Sequence, residues 1–394
     1  MKYLLLILSI LSLAISTQGQ VKCHIEGELR DTTQGTTVIL HPYNVDIRTS
    51  EDYVKIKADA QGRFSCDISR NEITLYNVLL EEQYLQGGWR VGLFLVENNA
   101  TVRLCFDNEK WNVVSGGKEQ TMKIKMDEEG ARLYVNEMDS LARTAEAIFR
   151  PEIEKLRAEG KDPREDTAFL NRYKAYENQY NALSGKYQEW QTSYYKEHPM
   201  IFFVFDLAYQ MTFRGMQEWL QPKLTIYHSA YETLHPELSV HNYIATQEAG
   251  WLLQPGKPYI DYEARTVDGN LVKVSSLYKG KVALIDLWAS WCGPCRRHSI
   301  SMIPIYEKYK DKGFTVVAIA HENELSAMTK AAQKDGYPWP SLIDLNDELH
   351  IWQKNGLAFS GGGMFLIDRD GTIISTSTDV AELEPLIKKA LNIE

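Results

Sequence analysis

Positive charge is in short supply in this sequence: 43 lysines and arginines face 53 aspartates and glutamates, a formal net charge of -10 at pH 7. That balance argues against a surface built to track phosphates, and with it against nucleic-acid binding. Cysteine is scarce too, five in 394 residues, and only Cys292 and Cys295 stand close together, with Gly293-Pro294 between them. A structural zinc site wants four ligands, and here there is no second pair, only His298 nearby; zinc is not expected. Covalent haem attachment needs a histidine directly after the second cysteine, and that position is Arg296. No cofactor or metal is therefore anticipated. Strongly apolar runs are also few. The stretch Leu4 to Ile15 is too short to cross a bilayer comfortably.

That stretch does carry information. Met1-Lys2-Tyr3 ahead of it and Ser16, Thr17, Gln18 and Gly19 behind it give the three-part layout of an export signal, residues 1–19, with cleavage expected near Gly19-Gln20. Gln20-Val21-Lys22 before Cys23 lacks the small apolar residues of a lipid-anchoring signal. The mature chain is expected to be soluble and, in a bacterium, periplasmic. Cys23, Cys66 and Cys105 then share an oxidising compartment. Cys23 and Cys66 sit among alternating apolar residues on candidate strands, where a disulfide and two buried free thiols are both open readings.

The length fits two or three domains of about 100 to 150 residues each. Residues 20–117 read as an all-β domain, a sandwich or barrel of short strands between 21 and 106, punctuated by Gln61-Gly62, Asn98-Asn99 and Gly116-Gly117. Residues 118–254 read as a helical region. Tyr134, Met138, Leu141, Ala145 and Ile148 recur at four-three spacing, and the spacing returns in Phe169, Tyr173, Tyr176, Tyr180, Leu183, Tyr187 and Trp190. This predicts an antiparallel hairpin whose aromatic stripe is a packed seam rather than a ligand-stacking surface. Asp162 before Pro163, with Glu165 three residues on, predicts the start of the second helix. The hairpin also offers a surface for self-association.

Pro255-Gly256-Lys257-Pro258 marks a boundary, and residues 255–394 alternate strands (Val282 to Trp288, Phe314 to Ala320, Met364 to Ile367, Thr372 to Thr376) with helices, an α/β pattern. The cysteine pair opens one of those helices. Two thiols so placed hold their sulfurs within disulfide reach, point free backbone N–H groups at the first sulfur and set the helix dipole against a developing thiolate. Cys292 is expected to be the acidic, exposed nucleophile, and Cys295, one turn further in, the less exposed thiol that resolves a mixed disulfide. Pro294 suits a first-turn position, where its missing N–H costs nothing.

The run Asp286-Leu287-Trp288-Ala289-Ser290-Trp291-Cys292-Gly293-Pro294-Cys295-Arg296-Arg297 is preceded by Asp268-Gly269-Asn270 and Ser275 to Val282, and followed by Phe365-Leu366-Ile367-Asp368 and Gly371. Together these closely resemble the TlpA/ResA branch of periplasmic thioredoxin-like proteins, over about 140 residues. The β domain is more loosely similar to an uncharacterised domain that precedes such modules. The resemblance implies a thioredoxin fold and thiol-disulfide exchange. It makes Cys292 the attacking thiol, Cys295 the resolving thiol and Trp291 an aromatic lid beside them. Asp286 falls where thioredoxins place a buried acid behind the pair, suited to relay a proton from Cys295; the bland alternative is a solvated strand-end carboxylate. Glu322 is a weaker candidate of the same kind. Substrates would be disulfides of other exported proteins, with a membrane or periplasmic electron donor.

Two departures from the family pattern stand out. The position usually held by a cis-proline beside the active sulfur is Gly362, within Gly361-Gly362-Gly363, and the usual helix proline is Ile300, with Pro304 four residues on. Peroxide reduction is disfavoured, because Ile285 and Ala289 occupy the places where peroxiredoxin-like enzymes need Pro and Thr or Ser. A competing reading makes the β domain and hairpin a ligand- or partner-binding device, with the redox domain a weakly active or structural module. An acidified thiol pair argues for chemistry instead.

Overall fold

The computed structural model describes residues 20–30, 33, 35–88, 90–213, 215–357 and 361–393. The expected export signal, residues 1–19, lies outside them.

Alternation of apolar and polar residues builds the N-terminal part into two four-stranded sheets. Its strands are β1 (Val21–Leu29), β2 (Thr37–Pro42), β3 (Val54–Lys57), β4 (Arg63–Arg70), β5 (Thr74–Leu80), β6 (Gly92–Val96), β7 (Ala100–Asp107) and β8 (Lys110–Ser115). One sheet runs β4-β1-β7-β8 and the other β3-β2-β5-β6. Ile25, Val102 and Phe106 from the first share one core with Leu40, Tyr76 and Phe94 from the second, a sandwich rather than a closed barrel. Strand β8 has no counterpart in the sequence reading. It is joined to β7 by Asn108 and Glu109, both at positive φ (48° and 60°), the backbone of a tight primed hairpin turn that the Asn-Glu pair does not advertise. Cys23 and Cys66 lie on paired strands but out of register, Cys23 opposite Ile68 and Ile25 opposite Cys66, and Cys23, Cys66 and Cys105 are free thiols.

The helical part follows directly. Glu97, buried at the end of the sandwich, accepts the backbone N–H groups of Glu119 and Gln120 at 3.0 and 2.9 Å and so anchors the start of the helix Lys118–Gly130. That helix continues through a π-helical turn, Ala131–Val135, into Asn136–Ala158, and Thr167–Glu197 packs back along it. The second helix starts later than the sequence suggested. Asp162 spends its carboxylate on the backbone and guanidinium of Arg164, and the capping residue is Asp166, which accepts from Phe169 N at 2.9 Å. Phe149 packs edge-on against Phe169, Tyr173 and Tyr176, and Tyr134 contacts Tyr187 and Trp190, so part of the stripe packs within the hairpin, while Ile148, Tyr173 and Tyr180 remain exposed. The apolar helix Ile201–Met211 is buried against Leu75 and Leu95 of the sandwich, joining the two parts through a common core.

The C-terminal part is a seven-stranded sheet of β9 (Glu263–Arg265), β10 (Leu271–Lys273), β11 (Val282–Trp288), β12 (Phe314–Glu322), β13 (Ser341–Leu345), β14 (Gly363–Ile367) and β15 (Ile373–Ser375), in the order β10-β9-β13-β12-β11-β14-β15. Strands β11, β12 and β13 are parallel, and β14 runs antiparallel to β11. Every residue of β11 is buried, as a central strand covered on both faces requires. Strands β9, β10 and β13 were not anticipated; the first two have three residues each. The helix Ser239–Trp251 packs against the short helix Ile351–Lys354. Gly250 and Gly356 lie back to back there, where a Cβ on Gly250 would fall 2.3 Å from the Gly356 nitrogen.

Candidate active site

Strand β11 delivers the chain to the site and the helix Gly293–Tyr309 leads away from it. Cys292 is the capping residue of that helix: its Sγ accepts the backbone N–H of Cys295 at 3.3 Å, and Pro294 sits in the first turn. The two sulfurs form a disulfide across a Cα–Cα distance of 5.3 Å. The sulfur of Cys295 accepts the N–H of Gly362 at 3.3 Å. The expected contrast in exposure is absent: Cys292 is 7% exposed and Cys295 8%, and the glycine loop approaches both sulfurs. A Cβ on Gly361 would stand 3.8 Å from Cys292 Sγ.

The tripeptide before Cys292 is held from below. Ser290 donates its backbone N–H and its hydroxyl (3.0 Å) to Glu322 at the end of β12. Glu322 is buried rather than solvated, and burial pushes its carboxyl above the usual range. Arg296 Nη1 donates to the Ser290 carbonyl at 3.2 Å while its Nε and Nη2 grip Asp335 at 2.7 and 2.6 Å. Sequence reading passed over Arg296 as an element of this support because its partner is 39 residues away.

Asp286 is 1% exposed, so it is not a solvated strand end. Burial pushes its carboxyl up to about 7, against the opposing hydrogen bond from Ser299. Ser299 Oγ lies 2.6 Å from Asp286 Oδ2 and 3.0 Å from the Cys295 carbonyl oxygen. One hydroxyl proton serves one of these contacts. Both are hydrogen bonds when protonated Asp286 donates to Oγ and Oγ donates to the carbonyl. Ser299 went unnoticed in the sequence; its position four residues after Cys295, on the same helix face, is the signal that marks it.

Gly362 occupies the position where the family pattern has cis-proline, and none of the described peptide bonds is cis. A Cβ at Gly362 would fall 1.7 Å from the Leu287 carbonyl oxygen and 3.2 Å from Cys295 Sγ. Glycine is thus imposed by the close approach of this loop to β11.

The β domain also touches the site. Arg48 places its guanidinium carbon 3.9 Å from the centroid of the Trp291 ring. Both carboxylate oxygens of Asp46 hold Arg48, the shorter contact to Nη2 at 2.6 Å. Thr49 Oγ1 lies 2.9 Å from Nε2 of buried His321, whose ring stacks on Trp352 at 4.6 Å, and Trp352 contacts Trp291 at 5.6 Å. Neither Arg48 nor Thr49 carries any local pattern that places it here.

A model of the Redoxin family matches residues 254–391. A thiol-disulfide oxidoreductase ResA of Bacillus cereus is 30% identical over 124 residues, which cover 31% of this chain and 68% of that protein. A Nicotiana tabacum protein that carries the name phospholipid hydroperoxide glutathione peroxidase is 30% identical over 166 residues, covering 36% of this chain and 98% of that one. Among solved structures, a thiol:disulfide interchange protein of Chlorobium tepidum is similar at 26% identity and a TM-score of 0.29, over 35% of this chain and 97% of that chain. The chain belongs, through its C-terminal domain, to the TlpA/ResA-like thioredoxin family, and it is a thiol-disulfide oxidoreductase.

Proposed function

We propose that the chain is exported and reduces or rearranges disulfides of other exported proteins through Cys292 and Cys295. The observation that carries this reading is the pair itself, joined at a helix start with a backbone N–H on each sulfur. In the reduced form the N–H of residue 295 and the helix start favour the Cys292 thiolate. That thiolate attacks one sulfur of the substrate disulfide, and the other leaves as a thiolate. Cys295 then attacks Cys292 Sγ, forming the Cys292–Cys295 disulfide and releasing the substrate as a dithiol. Two electrons have moved from the pair to the substrate. A dithiol donor protein in the membrane or periplasm restores the pair.

Cys295 must lose a proton before it attacks. We assign that proton to Asp286, which titrates near neutrality beneath the turn that carries Cys295; Ser299 holds the carboxyl against that turn but contacts the Cys295 carbonyl, not its sulfur. Trp291 and Pro294 shape the approach to Cys292. The test is reduction of insulin disulfides by the full chain with dithiothreitol as electron source. Accelerated reduction that Cys292→Ser abolishes supports the proposal, and a rate equal to that of dithiothreitol alone contradicts it.

A further inference from the structure

Near the ends of β12 and β13, where His321 and Asp344 are neighbours in register, the chain gathers three side chains able to ligate a metal. His321 Nδ1 and one carboxylate oxygen each of Asp344 and Asp347 lie within 4.8 Å of one another. His321 is 3% exposed and Asp344 is fully buried. Thr49 decides which ring nitrogen faces the carboxylates. Its single hydroxyl proton goes to the Asp46 carbonyl at 3.3 Å, so Oγ1 accepts from His321 Nε2 at 2.9 Å. In the neutral ring Nδ1 then carries a lone pair, and it is buried without a hydrogen-bond partner. Asp347 Oδ1 stands 3.7 Å from it, too far to bond even a proton on Nδ1 well. Asp344 Oδ1 and Oδ2 accept the N–H groups of Leu349 and Ile351, each at 2.9 Å, which orients the carboxylate and leaves each oxygen a second lone pair. Among the described residues no lysine or arginine pairs with either aspartate; Asp347 pairs with His321 and His350.

We propose that His321, Asp344 and Asp347 bind one divalent transition-metal ion of the zinc type, through Nδ1 and one oxygen of each carboxylate, with water completing its coordination. Three acceptors turned toward one another without a donor, two of them on anions, call for a cation. One imidazole and two carboxylates suit such an ion better than magnesium or calcium, which take oxygen ligands. An ion bonded at about 2.0–2.2 Å holds its ligands roughly 3–4.4 Å apart, so the three groups need close by less than about an ångström. The bond from Nε2 to Thr49 is the outer contact that fixes a ligating imidazole. Asp347, with 26% of its side chain exposed, gives the ion and its water a way in. The site shares no ligand with the cysteine pair and does not depend on the exchange reaction. Its role is structural: it ties β12, β13 and the turn after β13 to Thr49 of the β domain, beside the rings of Trp352 and Trp291.

The test uses the full chain with Cys292 and Cys295 oxidised, stripped of metal by a chelator and free of any histidine tag. Co²⁺ is the spectroscopic probe and Zn²⁺ its competitor. One Co²⁺ per chain is expected, with ligand-field bands in the visible, no thiolate-to-metal band, and displacement by Zn²⁺. Zn²⁺ is also expected to raise the midpoint of thermal unfolding. Asp347→Asn keeps a residue type that tolerates the positive φ of 55° at this position. It and Asp344→Asn are each expected to weaken binding about a hundredfold or more and to lose the stabilisation by Zn²⁺, whereas His350→Asn keeps both. Should Asp344→Asn fail to fold, Asp347→Asn decides alone. Absence of binding overturns the site and leaves a proton on His321 to join the three side chains. A thiolate band, binding that survives in Asp347→Asn, or binding lost in His350→Asn overturns it equally, since the ion then sits on cysteines or on exposed groups instead.

Discussion

The backbone N–H of Gly362 points at the sulfur of Cys295 from 3.3 Å, on a loop so close to β11 that a Cβ at residue 362 would lie 1.7 Å from the Leu287 carbonyl oxygen. Proline at this position has two defects. It removes the N–H that faces the sulfur, and it drives a ring into a carbonyl. Gly362→Ala keeps the N–H and shares only the clash, through its Cβ. Both variants are expected to lose stability, by about 1–3 kcal/mol or more, in urea titrations, and both to exchange disulfides more slowly. A Gly362→Pro protein as stable as the original and faster in insulin reduction would show that the loop is not confined in this way.

Asp286 makes stability depend on pH in a definite direction. With its folded value near 7 and an unfolded one near 3.9, the folded chain keeps a proton that the unfolded chain has released. The contribution is complete below about pH 4, is lost as pH rises toward 7, and changes little above that. Over that window it amounts to about 4 kcal/mol. Burial also raises Glu322 and Asp344, which gives a slope of the same sign to any variant that retains them. The difference between the parent and Asp286→Asn is therefore the quantity to measure, with urea midpoints at pH 4, 5.5, 7 and 8. Asp286→Asn should be the flatter of the two, and equal slopes would contradict the assignment.

The same substitution separates a proton-transfer role from a packing role. Asp286→Asn is expected to slow resolution of the mixed disulfide by about tenfold at pH 7, with a smaller deficit at pH 9, where Cys295 ionises without help. A deficit independent of pH would mean that Asp286 only packs.

The free thiols offer an internal standard. Burial pushes Cys66 up to about 11 and raises Cys23 and Cys105. After reduction at pH 7, iodoacetamide followed by peptide mapping should find Cys292 labelled well before these three. Labelling of Cys66 first would remove the case for an activated Cys292.

Much of the redox domain could be read from residues that are neighbours in sequence. The apolar run of β11 broken by one aspartate, the cysteines at a helix start and Pro294 in the first turn are all local signals. Gly362 was legible as a departure, but its reason was not, because the Leu287 carbonyl comes from a strand far back in the chain. Ser299 was hidden by being an ordinary helix serine. Arg48 and Thr49 were the least legible: they lie in a loop of the β domain and meet Trp291 and His321 only once three regions have packed together. Strands of three residues, such as β9 and β10, hold too little pattern to be seen without their partners.

The exchange reaction assigned to Cys292 is tested most directly by trapping. A Cys295→Ser chain, reduced and then mixed with a disulfide-bonded peptide, retains the attacking thiol and lacks the one that releases product. Intact-mass and peptide-map analysis should show one peptide per chain, joined to Cys292, and no such adduct in Cys292→Ser. An absent adduct, or one found on Cys23, Cys66 or Cys105 as readily as on Cys292, would contradict the account.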